Sequence, residues 1–355
     1  MNIGTHMKLK TLITSLVLTG LAASSQAQLA GHNVILVHGF QPDNVLNQPA
    51  SSNEIVQNGQ AYWSDYWNSR AEARLDWDSS ERIEGATAQR LYDDAVSLSL
   101  SGLCNDGCVL VTHSTGDLVA RYFIENQADW LAANGYTPLN ILTSLDFAGA
   151  GGGTEIADTV VSIVTSNNSA SSLAVSAVEW FMGGTLEDDQ DLGVLYDLQP
   201  AAARNLATSA STVPRLRFAG AGNAYFGITG GFITGTDDGV VPTHSSCGAV
   251  DPKAYDSCSK NVEFNGKIKN GNANAPSNLF TNHFAVLMGD KTHHNGTIGD
   301  QTGVQLTYVD NNFNAGGINI DFSTKYYDGW FADYLYVTNS KNSTMSEKVY
   351  ETLNN

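Results

Sequence analysis

Apolar and polar positions follow two alternating patterns along the middle of the chain. Short apolar runs at residues 33–37 and 109–111 predict buried β-strands, and residues 141–147 and 216–219 have the pattern of further strands. Between them, residues 83–100 and 118–130 carry apolar side chains at the spacing of one helix face. Strands that alternate with helices predict an α/β fold, with a mostly parallel sheet covered by helices on both sides. In such sheets, active sites lie at the carboxyl ends of the strands.

Residues 154–197 depart from this alternation. They contain two helical apolar runs, at 156–163 and 173–182, separated by turns rich in serine and asparagine. An insertion of this kind predicts a helical cap or lid over an active site. The alternative is the next helix of the fold followed by a loop, and the pattern leaves both open.

The pattern changes again after Gly303. Short strand-like pieces occur at 304–309, 318–322 and 334–337, and a short helical run follows at 346–353. Residues 28–303 are long enough for one large domain. Residues 304–355 form either a C-terminal extension or the completion of that same domain.

The N-terminus predicts export. The residues before Met7 resemble a vector remnant, and a short basic segment then leads into an apolar core at 11–23 that is too short to span a bilayer comfortably. The sequence SQA ending at Ala27 has the small residues of a cleavage site. Residues 1–27 are therefore interpreted as a tag remnant and signal peptide of a protein that is secreted, either extracellular or periplasmic. No later segment has about 18 unbroken apolar residues, so we expect no stable membrane anchoring.

The charge balance narrows the range of partners. Acidic residues outnumber basic ones by 36 to 18, which gives a formal net charge of −18 at pH 7. Such a charge argues against nucleic acid or an anionic membrane surface as a partner. The oligomeric state stays open.

The four cysteines fall into two local pairs, Cys104 with Cys108 and Cys247 with Cys258. Three pairings are possible in principle, and closeness in sequence favours the two local disulfides, which export permits. Metal binding is the competing interpretation, but neither pair has CxxC spacing and no histidine lies beside the first. We therefore expect two disulfides and no cofactor.

The strongest chemical signal surrounds Ser114. An apolar strand runs into Thr112-His113-Ser114-Thr115-Gly116, and a helix follows at once. A nucleophile elbow requires this context, because its tight turn exposes the serine oxygen above the sheet and directs the helix N-terminus at the reacting centre. Neighbouring backbone comes close, so the flanking residues must be small. Gly116 meets this need, whereas Thr112 stands where glycine is usual.

The early strand supplies a second signal, since the run VILV ends in His38-Gly39-Phe40. Acyl transfer develops negative charge on a carbonyl oxygen and needs two backbone N–H donors, one after the nucleophile and one from a loop after an early strand. The amides of Thr115 and Phe40 are the candidate donors. His38 is interpreted as a residue that orders this loop, with a role as base as the alternative.

Together, HGF at 38–40 and THSTGDLVARY at 112–122 resemble the secreted bacterial lipase and esterase group of the α/β-hydrolase superfamily. The usual motifs of that group are HG followed by GHSxGG-x-x-R-Y. The resemblance spans roughly residues 33–290. It implies an α/β-hydrolase fold with a mostly parallel central sheet, flanking helices and a helical cap or lid. Besides Thr112, the glycine-rich stretch at 149–153 is a departure, because these lipases usually have Thr-Pro-His near this position.

The resemblance also implies the acid. A serine nucleophile needs a base and the base needs an orienting carboxylate, in the chain order serine, acid, histidine for this fold. The stretch GTDDGVVP at 235–242 resembles the N-D-G-x-V-P stretch that carries the acid in such lipases, which implies Asp238. Asp146, at the end of the run ILTSLD, is the rival because some lipases place the acid after this earlier strand.

The base implied by the resemblance is His283. The run NHFAVLM at 282–288 is similar to the His-x-x-x-Leu segment of small bacterial lipases, in which the histidine precedes an apolar helical turn. His293 and His294 in a polar loop are the alternatives. Related lipases often hold a calcium ion with an aspartate two residues after the histidine, but Ala285 stands there, so no required metal is expected.

The implied function is a secreted serine hydrolase that cleaves carboxylic esters, namely acylglycerols or medium-chain esters, through an acyl-enzyme. An extracellular polyester hydrolase is the close alternative, since it would use the same machinery in a more open cleft. A non-catalytic secreted binding protein on the same scaffold is the third hypothesis, and the ordered occurrence of serine, acid and histidine argues against it.

Overall fold

The computed structural model describes residues 28–165, 171–187, 190–206, 211–223, 231–269, 271, 274–309, 313–315 and 318–354. The segment interpreted as a tag remnant and signal peptide, residues 1–27, lies outside the described residues.

Strands and helices alternate through the first two thirds of the described chain. The strands are β1 (Gln28–Leu29), β2 (His32–Val37), β3 (Ala73–Leu75), β4 (Cys108–His113), β5 (Ile141–Phe147), β6 (Arg215–Phe218), β7 (His283–Met288), β8 (Thr307–Tyr308), β9 (Phe313–Ala315), β10 (Ile318–Ile320), β11 (Thr324–Asp328) and β12 (Asp333–Val337). The helices are α1 (Pro42–Leu46), α2 (Ser52–Tyr62), α3 (Asp65–Asn68), α4 (Ala88–Ser101), α5 (Gly116–Ala133), α6 (Glu155–Thr165), α7 (Ser172–Met182), α8 (Pro200–Leu206), α9 (Thr243–Ser246) and α10 (Met345–Asn354).

Eight strands form the central sheet, in the order β1-β2-β4-β5-β6-β7-β8, with β3 also paired to β2. The pairs from β3 through β7 are parallel, and only the outer strands β1 and β8 run antiparallel to their neighbours. Each parallel connection has to cross a face of the sheet, which places helices on both sides. The fold is thus the predicted α/β fold with a mostly parallel sheet.

Two hydrophobic cores lie on opposite faces of this sheet. Successive strand residues point to opposite sides, so Ile35 and Leu110 join the core under α4, α5 and α6, whereas Leu36 and Val111 join the other core. These strands are buried on both faces, which is why they appear in the sequence as continuous apolar runs rather than as alternating ones.

The C-terminal helix packs on the second face. Met345, Val349 and Leu353 recur four residues apart on α10 and are buried in that core. Trp67 of α3 is fully buried in the same core, and its Nε1 donates to Ser346 Oγ at 3.0 Å. The end of the chain therefore covers the same sheet that carries the earlier segments.

Both local cysteine pairs form disulfides, as the sequence predicted: Cys104 with Cys108 at the start of β4, and Cys247 with Cys258 after α9. No helix within the described ranges is long and apolar enough to cross a membrane.

Candidate active site

Ser114 lies on a tight turn between β4 and α5. Its φ is +56°, in the left-handed region that a residue with a side chain rarely adopts. The turn is held on both sides, because Ser114 N donates to Phe147 O at 3.1 Å and Ala150 N donates to Ser114 O at 2.9 Å. A Cβ at Gly116 would collide with the carbonyl oxygens of Val37 and His38, so this position requires glycine. The predicted strand–turn–helix context of Ser114 is present.

Thr112 is accommodated below this turn rather than beside the serine. Its Oγ1 donates to Asp146 Oδ1 at 2.8 Å, and the two residues are directly opposite each other on β4 and β5. The crowded position is Gly39 instead, since a Cβ there would lie 2.7 Å from Ser114 Cβ. Thr112, which stands where glycine is usual, therefore makes a buried polar contact and does not crowd Ser114.

Asp238 and His294 form a hydrogen-bonded pair. His294 Nδ1 lies 2.9 Å from Asp238 Oδ2, and the carboxylate is fully buried. The other carboxylate oxygen accepts from the amides of Val240, at 3.0 Å, and Val241, at 2.8 Å. The carboxylate is thus fixed in one orientation, so Nδ1 carries a proton toward Asp238 and Nε2 is available as a base.

His283 lies elsewhere. It is the first residue of β7, and the run expected to form a helical turn is a strand. Because β7 is parallel to β6, with His283 opposite Arg215, this histidine lies at the amino edge of the sheet, while the elbow and its loops leave the carboxyl edge. The structure does not bring His283 to Ser114, which corrects the expected base. His294, the alternative from the same part of the sequence, takes its place as the candidate.

The surroundings of His283 give a physical reason for a structural role. Burial, followed by the charges of Arg217 and Arg215, holds the pKa of this imidazole well below its usual value. Its Nδ1 lies 3.0 Å from the carbonyl oxygen of Thr281. His293, the remaining alternative, accepts from Gly296 N through Nδ1 at 3.1 Å and caps the short turn that begins at His294.

Asp146 is part of a buried charge cluster. It accepts from Arg215 Nε at 2.8 Å and from Arg217 Nη1 at 3.1 Å, and both arginines also reach Asp117. All four side chains are at most 1% exposed. Burial alone would raise the pKa of Asp146, but the two guanidinium groups hold it well below its usual range. Its oxygens are occupied by Arg215, Arg217, Thr112 and Ser144, so the rival acid has no place beside His294.

We expect Asp146→Asn to lower the free energy of unfolding by about 3–5 kcal/mol, because it leaves two buried guanidinium groups with one fewer counter-charge. Urea denaturation measures this, with Asp129→Asn on the exposed side of α5 as the matched control. Any ester hydrolysis that the parent protein shows should be kept by the folded fraction of the variant. A stable Asp146→Asn protein that had lost activity would instead make Asp146 the catalytic acid.

The two candidate oxyanion donors lie beside the nucleophile. Phe40 follows β2 and Thr115 follows Ser114, and both line the same cavity as the serine. Within the described part of the chain, neither amide has a protein acceptor. His38 orders the first of these loops, since its Nε2 accepts from Trp77 N at 3.1 Å and its ring stacks on the Trp77 indole. Burial lowers the pKa of His38 to about 4, which keeps it neutral.

A further histidine, His113, contacts both His294 and Tyr62. Its Nε2 lies 3.2 Å from the carbonyl oxygen of His294, and the two rings are 4.6 Å apart. A carbonyl only accepts, so Nε2 is the protonated nitrogen and Nδ1 accepts from the hydroxyl of Tyr62. Burial, followed by the nearby His294, holds the pKa of His113 well below its usual value. The one sequence signal for this contact is the position of His113 directly before Ser114.

A cavity of about 470 Å³ joins these groups. Helix α7, in the segment interpreted as a lid, supplies Trp180 and Phe181, and Phe181 stacks on Phe40 with ring centroids 5.8 Å apart. The cavity is lined by Phe40, Gln41, Pro42, Asp43, Tyr62, Ser114, Thr115, Ala150, Thr154, Ala157, Trp180, Phe181, Leu195, Leu198, Val240, Val241, His294 and Asn295. The walls are mostly apolar and include Ser114 and His294.

Comparison with known proteins gives similarity at the level of structure only. The sequence matches no protein-family model and no curated protein. Among solved structures, lipase 1 from Pelosinus fermentans is 15% identical, with 77% of this chain and 94% of that chain covered and a TM-score of 0.42. The mature lipase BlEst2 from Bacillus licheniformis is 14% identical (62% and 79% covered, TM-score 0.38), and the metagenomic carboxyl esterase MGS0156 is 18% identical (63% and 62% covered, TM-score 0.38). Similarity at this level concerns the arrangement of the chain alone, which is a mostly parallel sheet with flanking helices.

Proposed function

We propose that this protein is a carboxylic ester hydrolase that works through an acyl-enzyme on Ser114. The observation that carries the proposal is the buried Asp238–His294 pair, in which His294 lines the same cavity as a serine held at φ +56° on an elbow. A nucleophile, a base and an orienting carboxylate in this arrangement are the requirements of serine ester hydrolysis.

The proton moves in two directions during the proposed cycle. His294 Nε2 takes the proton of Ser114 as the serine oxygen attacks the ester carbonyl, and then gives it to the departing alkoxide, which leaves the acyl group on Ser114. Water, deprotonated by the same imidazole, next attacks the acyl carbon and releases the carboxylic acid. Asp238 stays ionised throughout, fixes the tautomer of His294 and stabilises its charged form.

The amides of Phe40 and Thr115 are proposed to bind the oxyanion of each tetrahedral intermediate. Both are fixed by the fold, one by the loop that His38 orders and one by the start of α5, so they need no rearrangement when charge develops. The loss of one such donor costs roughly 3–4 kcal/mol of transition-state stabilisation in comparable sites.

The cavity supports an ester with a flexible acyl chain. Its apolar walls and the aromatic side chains of α7 above the nucleophile fit the hydrocarbon of an acylglycerol or a medium-chain ester.

We expect a fluorophosphonate probe to label the protein with about one probe per chain, at the peptide that contains Ser114. Hydrolysis of p-nitrophenyl esters should be fastest for acyl chains of about four to ten carbons and slower for acetate and palmitate, because the cavity holds a limited length of hydrocarbon. Peptide mass spectrometry and initial rates measure the two outcomes. Labelling at another residue, or no turnover of any ester in the series, would contradict the proposal.

A further inference from the structure

The hairpin of β11 and β12 ends in an aromatic tip that the described chain leaves uncovered. Trp330 and Phe331, in the turn between the strands, are 94% and 96% exposed, and Tyr326 and Tyr327 on β11 are more than half exposed. Four of the eight large hydrophobic side chains that are exposed among the described residues lie on this one hairpin. Such a concentration of apolar surface is typical of an interaction site rather than of scattered surface residues.

The tip is held on a stiff support. Five residue pairs hold β11 to β12, and residues 266–268 add hydrogen bonds on the far side of β12. Ile268 N donates to Asp333 O at 2.7 Å, and Leu335 N donates to Gly266 O at 2.8 Å. Because the ribbon is already ordered, docking through its tip would lose little conformational entropy.

The root of the hairpin lies on the same edge of the sheet as the candidate active site. Val337 N donates to the carbonyl oxygen of Leu306 at 2.9 Å, and the next residue, Thr307, is opposite Met288, the last residue of β7. The loop that leaves β7 at this edge carries His294 six residues later. The hairpin is therefore anchored next to the segment that leads to His294.

The charges on the hairpin determine what kind of surface it fits. Asp328 and Asp333 are directly opposite each other just behind the tip, and Lys325 is the only basic residue of the hairpin. The two carboxylates, together with the net charge of −18, repel an anionic surface. Trp330 and Phe331 lie at the tip, and the two carboxylates and the tyrosines follow toward the root. This order suits the boundary between an apolar phase and water, where amphipathic rings are stable.

We propose that the hairpin tip, through Trp330 and Phe331, docks this enzyme onto the surface of an uncharged, water-insoluble ester phase. This inference rests on the proposed function and specifies its substrate as an aggregated neutral ester rather than a dissolved one.

The test uses the protein with Ser114→Ala, which removes hydrolysis, and triolein droplets coated with phosphatidylcholine. We expect the combined change Trp330→Ser and Phe331→Ser to lower the partition of the protein onto the droplets at least about tenfold in a flotation assay. Leu100→Ser is the matched control, since Leu100 is 72% exposed on α4, and it should bind as the parent does. Droplets that contain phosphatidylglycerol should bind the parent protein more weakly than neutral ones.

Activity on dissolved substrate separates the two proposals. With Ser114 present, the tip variant should hydrolyse dissolved p-nitrophenyl acetate within about twofold of the parent, because the tip does not line the cavity. Equal partition of parent and tip variant, or a parent that stays in solution, would overturn the docking proposal. A parent dimer that the tip variant loses in size-exclusion chromatography would assign the tip to a second copy and would also overturn it. If no ester were hydrolysed while the Ser114→Ala protein still bound droplets through the tip, the proposed function would fail separately.

Discussion

Ser114→Ala is expected to lower kcat/KM for p-nitrophenyl butyrate by at least about 10⁴-fold, with the fold unchanged. In the proposed mechanism this hydroxyl forms the acyl-enzyme, and what remains without it would be the catalysis supplied by binding and the oxyanion amides. The measurement is the initial rate of purified parent and variant, with labelling by the fluorophosphonate probe as a second readout. Equal activity in the two proteins would remove Ser114 from the chemistry.

The backbone of Ser114 offers a control that separates activity from stability. At φ +56° an alanine keeps the strain of the elbow, whereas glycine adopts this conformation freely. Ser114→Gly should therefore be as inactive as Ser114→Ala but more stable by roughly 1 kcal/mol in urea denaturation. A glycine variant no more stable than the alanine variant would show that the turn is not strained.

The parallel sheet could be predicted from the sequence because its strands are buried on both faces. Residues 34–37 and 109–111 are continuous apolar runs, and each lies within one strand of the sheet. The elbow could also be predicted, because a serine between an apolar strand and a helix is a local signature that does not depend on distant residues. The two disulfides were predictable for the same local reason.

The base was harder to predict, because an apolar run after a histidine fits a strand as well as a helical turn. His283 and His294 are eleven residues apart in sequence but lie at opposite edges of the sheet, and that difference depends on the direction in which β7 runs. The partners of Thr112 could not be predicted for a similar reason. Thr112 meets Asp146, and Asp146 meets the two arginines, because of the register in which β4, β5 and β6 pair. A local sequence pattern does not contain this register.

His294→Ala is expected to lower kcat/KM for p-nitrophenyl butyrate by about 10³- to 10⁴-fold or more, while His283→Asn leaves it within about tenfold of the parent. The first change removes the imidazole that pairs with Asp238 beside the cavity, and the second alters a buried residue at the far edge of the sheet. His283→Asn should act on stability instead, because it disturbs packing against Gly248 and Phe280. Initial rates normalised to the folded fraction, together with urea denaturation, distinguish the two effects.

A double-mutant cycle sharpens this prediction. If Asp238 acts only through His294, Asp238→Ala alone should lower kcat/KM. In a protein that already carries His294→Ala, the same change should lower kcat/KM almost no further, since the carboxylate has no imidazole left to orient. Asp146→Asn should show no such dependence on His294, because its partners are Arg215 and Arg217. Additive losses for Asp238 and His294 would mean that the hydrogen-bonded pair does not act as one unit, and activity lost with His283→Asn but kept with His294→Ala would return the role of base to His283.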